Sequence, residues 1–151
     1  MNLSEYMQKD LVFLNIEANT KKDLFERIVA SMAQNKIIDH PGAFLDELMQ
    51  REDKAPTCIG RGIALPHTRT QFVDRPIIAF ARLNSPINFS QNPKDSVQLV
   101  FLMGTPAADP NTYLKILADL CTQLRDSKFR DKLLHARKRD QILQLLSMSS
   151  S

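Results

Sequence analysis

Three stretches of the chain carry the apolar pattern of β-strands. Partial alternation of apolar residues predicts a first strand over Leu11–Ala18. Longer apolar runs rich in β-forming residues predict two more, Ile77–Leu83 and Val97–Met103. Because these two runs are almost continuously hydrophobic, we expect both of their faces to be buried. The Asn-, Pro- and Ser-rich segment Ser85–Asp95 between them is typical of a loop.

Helical spacing of apolar residues predicts a first long helix over Lys21–Gln34. Thr20 stands directly before it and Asp23 follows three residues later, which resembles a capping box with Asp in place of Glu. A local signal therefore marks the beginning of this helix.

Two further helices are indicated by their N-terminal residues. Asp39 is predicted to cap the second helix, with Pro41 in its first turn, and this helix should end near Arg51. Asp109 is predicted to cap the third, with Pro110 at its first position. The apolar stripe of the third helix comprises Tyr113, Leu114, Ile116, Leu117, Leu120 and Leu124.

A last short helix, Gln141–Leu146, closes the pattern, and Ser147–Ser151 resembles a frayed tail. Three or four strands interspersed with three or four longer helices predict an α/β fold, a single three-layer sandwich with a central sheet flanked by helices on both faces. We expect one domain over residues 1–151, with its core at about 11–146.

Composition indicates an ordinary soluble globular protein, with 43% hydrophobic and 25% charged residues. Cys58 and Cys121 lie far apart and no signal-peptide pattern is present, which predicts free thiols and a cytoplasmic location. No apolar run approaches the ~20 residues that span a bilayer. Any link to a membrane permease would therefore come through a partner.

The net charge of +3 is modest, and most of the basic excess falls within Arg125–Arg139. That segment has little aromatic content and no recognised nucleic-acid motif, so nucleic acid is not expected as a partner. A solvated face is the favoured interpretation, with contact to an acidic protein as the functional alternative.

A glycine-rich stretch carries the candidate chemistry. Gly60 and Gly62 can adopt positive φ and expose backbone N–H groups, as a small anion-binding nest requires. Ile63–Leu65 is predicted to be a short buried strand, because Pro66 favours extended geometry before it and cannot continue a ladder. We therefore expect His67 just past a strand end.

His67 is the candidate nucleophile, because a neutral imidazole near pH 7 can attack and then carry a transferable group. From the residues alone, a structural or surface histidine is an equally good interpretation. A Cys58/His67 thiol hydrolase would need an orienting third group, and none is evident. His40 and His135 are expected to be surface residues. No metal site and no cofactor are indicated.

Several motifs together resemble one family, the fructose/mannitol-type enzyme IIA domains of the bacterial phosphotransferase system, including their nitrogen-regulatory branch. The likeness extends from about Leu11 to Leu146. The matching motifs are Arg51-Glu52, Thr57-x-Ile59-Gly60-x-Gly62-Ile63-Ala64-x-Pro66-His67, Ser85 to Phe89, Val97 to Leu102, and Leu114 to Leu120.

This resemblance implies a mixed central sheet and a phosphoryl relay through a tele-phosphohistidine on His67, although the residues alone do not decide which imidazole nitrogen reacts. It implies a catalytic role for Arg51, whose planar guanidinium suits a phosphoryl group. Thr57 and the amides near Gly60 and Gly62 are further candidate phosphate donors. Thr57 could equally be only a turn residue.

One position departs from the family pattern. Many members carry a second histidine where this chain has Tyr113. A phenol can donate one hydrogen bond to a phosphoryl oxygen, but it cannot become cationic as an imidazole does. Tyr113 is therefore either a phosphate-binding residue or a half-buried packing residue.

Three functions remain open: a nitrogen-regulatory IIA, a sugar-specific IIA feeding a IIB/IIC permease, and a binding module that no longer transfers phosphate. The chain shows no fused IIB, IIC or HPr-like segment, which favours the first. The implied partners are the phosphocarrier HPr or a nitrogen-type HPr, together with a IIB domain or regulatory target proteins. A homodimer is also compatible with the sequence, and direct membrane insertion is not expected.

Overall fold

Residues 1–148, the part of the chain that the computed structural model describes, contain six strands, five α-helices and three short 3₁₀-helices. The strands are β1 Val12–Ile16, β2 Cys58–Gly60, β3 Ile63–Ala64, β4 His67–Thr70, β5 Ile77–Asn88 and β6 Ser96–Pro106. The helices are α1 Lys21–Gln34, α2 Pro41–Lys54, α3 Pro110–Gln123, α4 Ser127–His135 and α5 Arg139–Ser147.

All six strands belong to one mixed sheet with the order β1-β5-β6-β3-β2, and β4 also pairs with β6. β1 runs parallel to β5, whereas β5 and β6 are antiparallel. β3 and then β4 run parallel to β6 along the same edge, and β2 folds back on β3. The predicted α/β fold with a central mixed sheet is confirmed.

Two hydrophobic clusters lie on opposite faces of this sheet. Val100 and Leu102 of β6 join the cluster that contains residues of α1 and α2. Leu99 and Phe101, which alternate with them, join the cluster that contains residues of α3, α4 and α5. Alternation along the central strand therefore produces the three layers that the sequence predicts, and both of its faces are buried.

Local capping signals place two helices as predicted. Thr20 Oγ1 accepts a hydrogen bond from the Asp23 backbone N–H at 3.0 Å, and α1 has the predicted bounds. Asp109 caps α3 by accepting from the Thr112 N–H at 3.2 Å, with Pro110 in the first position. Removing such a cap typically costs ~1 kcal/mol of stability.

The predicted N-cap residue and end of α2 are wrong, although Pro41 lies in its first turn as predicted. His40, not Asp39, occupies the N-cap position, and its side chain makes no capping hydrogen bond. Pro41 fixes the start instead, since its ring presets the helical φ at the first position. α2 also continues past Arg51 to Lys54.

Several smaller expectations also need correction. β5 continues through Ser85–Asn88, which was predicted to be loop. Leu114, assigned to the apolar stripe of α3, is 58% exposed. Ser147 belongs to α5, while residues 149–151 of the predicted tail lie outside the described residues. α4 and the strands β2 and β4 were not predicted.

Cys58 and Cys121 are both free, as expected. Among residues 1–148, none of the helices combines the length and the apolar character needed to cross a membrane.

Candidate functional site

His67 lies just past the end of β3, as predicted, and it is also the first residue of β4, where it pairs with Met103 of β6. The sheet continues through Pro66 because its carbonyl accepts the Met103 N–H at 2.9 Å, so the missing proline N–H does not end the pairing. The half-buried imidazole lies on the α3 side of the sheet.

The Nδ1 atom of His67 is tied to the backbone. It lies 2.6 Å from the carbonyl oxygen of Leu65. A carbonyl can only accept, so Nδ1 carries the proton in this contact. In the neutral ring, Nε2 is therefore left with its lone pair.

Tyr113 faces that lone pair from the first turn of α3. Its phenolic oxygen is 2.8 Å from Nε2 of His67, and the two ring centroids are 5.3 Å apart. Because Nε2 is unprotonated, the phenol donates this hydrogen bond. The Asp109 cap and Pro110 fix the beginning of α3 and hence the position of this phenol.

The electrostatic surroundings favour a neutral His67. Burial lowers its pKa below the ordinary value of 6.5, and the positive charge of Arg51 lowers it further. The hydrogen bond to Leu65 and the charge of Glu52 act in the opposite direction on this pKa. A ring that stays neutral at pH 7 keeps Nε2 available as a nucleophile.

Arg51 lies in the last turn of α2, close enough for its charge to be felt at His67. Its Nη1 donates to the Ala55 carbonyl at 3.2 Å, which holds the half-buried guanidinium against the helix end. That contact uses one of five N–H donors. Arg51 therefore acts on the pKa of His67 through its charge, and its catalytic role stays a prediction.

Glu52 is a residue of the site for which the sequence suggested no role. Its carboxylate, 1% exposed, accepts the Thr57 N–H at 2.9 Å and the Thr57 hydroxyl at 2.7 Å. The ammonium group of Lys21 lies 3.6 Å from the same carboxylate. Only the Arg-Glu pair of the family motif could have pointed to it, because its burial depends on contacts made by distant residues.

Thr57 consequently contributes to the site indirectly, through hydrogen bonds to Glu52 and Leu65. Its hydroxyl is engaged by Glu52, and its carbonyl accepts the Leu65 N–H at 3.1 Å. Leu65 in turn holds His67. A relay of hydrogen bonds thus connects Glu52, through Thr57 and Leu65, to the imidazole.

The glycine turn does not lie beside His67. Gly60, Arg61 and Gly62 have φ values of 85°, 58° and 78°, and Gly60 pairs with Ile63 across the turn between β2 and β3. Ile63 pairs with Leu99, whereas His67 pairs with Met103, four residues further along β6. That separation is roughly 13 Å at the rise of a strand. The expected positive φ values are confirmed, and the turn serves the hairpin.

The remaining candidates lie outside the site. His40 and His135 are exposed, as expected. Burial, followed by the charges of Asp95 and Glu52, raises the pKa of the Cys58 thiol to about 11. A thiol with so high a pKa stays protonated at pH 7, so the thiol-hydrolase alternative gains no support.

A family model described as "Phosphoenolpyruvate-dependent sugar phosphotransferase system, EIIA 2" matches residues 5–149. The chain belongs to this family. Its members include proteins named for sugar transport and for nitrogen regulation, and both kinds resemble this IIA chain.

Three relatives span almost all of this IIA chain. The fructose-specific EIIA component of Haloferax volcanii is 31% identical over 146 residues, 97% of this chain and 95% of that protein. The nitrogen regulatory protein of Bradyrhizobium diazoefficiens is 28% identical over 148 residues, which are 98% of this chain and 96% of that protein. The fructose-specific EIIABC component of Bacillus subtilis is 29% identical over 97% of this chain, which spans only 23% of that longer protein.

Solved structures share the fold of this IIA chain. The nitrogen regulatory protein IIA-Ntr of Neisseria meningitidis superposes with a TM-score of 0.86, at 24% identity, over 95% of this chain and 97% of that one. Enzyme IIA-mannitol of Escherichia coli, solved in complex with phosphorylated enzyme IIB-mannitol, gives a TM-score of 0.78 at 21% identity, with coverages of 93% and 97%. A neighbour of this fold thus assembles with a IIB protein.

Proposed function

We propose that the chain is a phosphocarrier of the nitrogen-regulatory type, which accepts a phosphoryl group from phospho-HPr on Nε2 of His67. The observation that carries the proposal is the 2.6 Å contact between Nδ1 and the Leu65 carbonyl. It holds the proton on Nδ1 and leaves the lone pair on Nε2, the tele nitrogen. A lowered pKa keeps that lone pair free at pH 7.

The reaction is an in-line exchange between two imidazoles. The Nε2 lone pair attacks the donor's phosphorus as the N–P bond of the donor breaks, and the donor nitrogen keeps the bonding electrons. The transition state is loose and rich in negative charge, so positioning and donors to the equatorial oxygens supply most of the catalysis. No cofactor is required.

Arg51 and Tyr113 are the proposed donors. The guanidinium of Arg51 would contact two phosphoryl oxygens with a planar pair of N–H groups. The Tyr113 hydroxyl now donates a hydrogen bond to Nε2, and it would move outward and donate to a phosphoryl oxygen once the N–P bond forms. Thr57 would act on His67 only indirectly, through its hydrogen bond with Leu65.

The regulatory role is favoured by Tyr113. A neutral phenol cannot supply the second positive charge that the family's histidine provides, so transfer would be slower, which suits a regulatory signal more than rapid flux. Phosphorylation would then control which target proteins the chain binds in the cytoplasm.

A sugar-specific IIA that passes the group to a IIB domain is the second candidate. It is favoured by the 31% identity to a fructose-specific EIIA component over nearly its whole length.

The test is phosphorylation with enzyme I, HPr and phosphoenolpyruvate. We expect acid-labile, base-stable phosphate on the wild-type chain and none on His67→Ala, with tele-phosphohistidine as the ³¹P and ¹⁵N NMR signature. Full labelling of His67→Ala would disprove the assignment of the residue. A wild-type chain that takes up no phosphate would favour a binding module without transfer, and rapid transfer to a IIB domain would favour the sugar role.

A further inference from the structure

A small pocket lies between the turn of the β2–β3 hairpin and the C-terminal end of α3. Its volume is about 190 Å³. Four side chains give it an apolar wall: Ile59, Ile63, Cys121 and Leu124. Ile59 remains 46% exposed although it is a large apolar residue. The pocket therefore presents apolar surface that the fold itself leaves uncovered.

Two arginines complete the lining of this turn–α3 pocket. Arg61 belongs to the hairpin turn, and Arg125 follows the C-cap of α3. Both residues are exposed, and no carboxylate of residues 1–148 lies within ion-pairing distance of either. No acidic side chain in that part of the chain lines the pocket. The pocket thus combines two guanidinium groups that lack an ion-pair partner with an apolar wall.

A third arginine makes the end of α3 compatible with an anion. The last carbonyls of a helix carry partial negative charge, which would repel an anion. Here Nη1 of Arg130 donates to the carbonyls of Leu124 at 2.7 Å and Arg125 at 2.9 Å. The carboxylate of Asp126, next along the chain, caps α4 by accepting the Lys128 N–H at 2.9 Å. The local charge at this helix end is therefore positive.

Arg61 occupies a position at which a turn favours glycine or asparagine. Its φ is 58°, between Gly60 at 85° and Gly62 at 78°. This left-handed conformation is unfavourable for a residue with a side chain. A guanidinium that contacts a ligand would account for an arginine here, because glycine would fit the turn better but could make no such contact.

The pocket is separate from the phosphoryl site. Neither His67 nor Tyr113 lines it. Ile63, at the pocket, pairs with Leu99 of β6, whereas His67 pairs with Met103, four residues further along that strand. Whatever fills the pocket would therefore be a second ligand and not the transferred group.

We propose that the turn–α3 pocket binds a small metabolite that carries a phosphate or carboxylate group on a short apolar body. The guanidinium groups of Arg61 and Arg125 would hold the anionic end, since their planar donors match the oxygens of either group. The apolar wall would take the rest of the molecule. The volume lies below the ~300 Å³ at which pockets for drug-sized ligands begin, so the ligand is small. This site does not depend on the proposed function.

The test titrates the protein with n-butyl phosphate at constant ionic strength and follows its backbone NMR signals. Inorganic phosphate supplies the anion without the apolar body, n-butanol supplies the body without the anion, and pentanoate replaces phosphate by carboxylate. The pocket variant is Arg61→Gln/Arg125→Gln. The control variant is Lys128→Gln/Arg137→Gln, which removes two exposed charges from α4 and the segment that follows it.

We expect saturable shifts of the wild-type signals at the hairpin turn and at the end of α3. The affinity for n-butyl phosphate should fall roughly tenfold or more in the pocket variant, because two charge-assisted contacts are lost, and should change little in the control. Inorganic phosphate should bind more weakly at the same residues, and n-butanol should not saturate. Tighter binding of n-butyl phosphate than of pentanoate would assign the pocket to phosphate esters, and the reverse order to carboxylates.

Other outcomes overturn the site. Equal losses in the pocket and control variants would show general attraction to a basic surface. Shifts with n-butanol as large as those with n-butyl phosphate would show that the arginines do not select an anion. Wild-type signals that never saturate would exclude these anions from the pocket. Arg125→Gln alone keeps the hairpin turn intact, so unchanged binding in this variant would also count against the site, even if the double variant folds poorly.

Discussion

The phenolic oxygen of Tyr113 lies 2.8 Å from Nε2 of His67 and donates a hydrogen bond to the lone pair of that nitrogen. A phosphorus atom must approach the same lone pair. The phenol therefore covers the nucleophile in the unphosphorylated protein and must move aside in each transfer.

Tyr113→Phe is expected to shorten the lifetime of the phosphohistidine, because one hydrogen bond to the phosphoryl group is lost. A loss of about 0.5–1.5 kcal/mol corresponds to roughly 2–12-fold faster hydrolysis or back-transfer. The melting temperature should fall only slightly, since the ring still packs and only the hydrogen bond to His67 is lost. Release of labelled phosphate measures the first quantity and thermal unfolding the second.

If Tyr113→Phe instead lowers the melting temperature markedly and leaves the phosphohistidine lifetime unchanged, Tyr113 is a packing residue. Tyr113→His serves as the comparison. At low pH a second imidazole can charge and pair with phosphate, so this variant should lengthen the lifetime there.

Arg51→Lys is expected to keep the fold and slow phosphorylation, because an ammonium group cannot reproduce two parallel donors. The rate with enzyme I, HPr and phosphoenolpyruvate measures the effect, and thermal unfolding checks the fold. Lys54→Arg is the matched control, because it makes the reverse replacement, arginine for lysine, three residues further along α2. An unchanged rate in Arg51→Lys would leave Arg51 without a role in transfer.

Glu52→Gln is expected to destabilise the protein by about 1–3 kcal/mol, because Lys21 loses its buried partner and Thr57 loses one of two acceptors. Urea unfolding measures the change in free energy. Glu26→Gln is the control, since that carboxylate is exposed and lies 4.0 Å from Lys22 on α1. Equal effects in the two variants would contradict a structural role for the buried carboxylate.

His67 should make stability depend on pH in a defined direction. Its pKa in the folded protein is lowered, whereas the unfolded chain should titrate near the ordinary value of 6.5. Below that value the unfolded state takes up a proton first, so stability present above about pH 6.5 is lost as pH falls towards the folded pKa. We expect His67→Gln to flatten this part of the curve.

NMR titration of the His67 ring checks the same prediction directly. A midpoint at or above the ordinary value of 6.5 would contradict it. A lowered midpoint also predicts that phosphorylation continues at mildly acidic pH, where an ordinary histidine is mostly charged.

Gly62→Ala is expected to destabilise the hairpin without changing phosphorylation of the folded protein. The φ of Gly62 is 78°, a conformation that costs a residue with a side chain roughly 1–2 kcal/mol. The turn lies too far along the sheet to contact His67. Slower phosphorylation at full folding would instead support a phosphate-binding role for the glycine amides.

Much of the fold was predictable because its signals are local. The bounds of α1 follow from a cap and an apolar period within the helix itself, and the Asp109–Pro110 pair marks α3 in the same way. β4 gives no such signal. It is polar, and it becomes a strand because β6 offers a free edge for His67–Thr70.

The site could be predicted only in part for the same reason. His67 and Arg51 belong to recognisable motifs, whereas the contact between Tyr113 and His67 joins residues 46 positions apart. The burial of Glu52 likewise depends on Lys21, which lies on another helix. The sequence Gly60-x-Gly62 predicts a phosphate-binding nest, whereas the structure shows that these glycines form the turn of the β2–β3 hairpin.

At the open end of the β2–β3 hairpin, Thr57 and Leu65 make only one of the two backbone hydrogen bonds expected for an antiparallel pair. In a hydrogen-bonded antiparallel pair the two residues exchange both N–H···O bonds, yet here only the bond from Leu65 N–H to Thr57 is made. By accepting the Thr57 N–H, the buried Glu52 carboxylate leaves the Leu65 carbonyl free for Nδ1–H of His67. Glu52 thereby favours the Nδ1-protonated tautomer without contacting the imidazole.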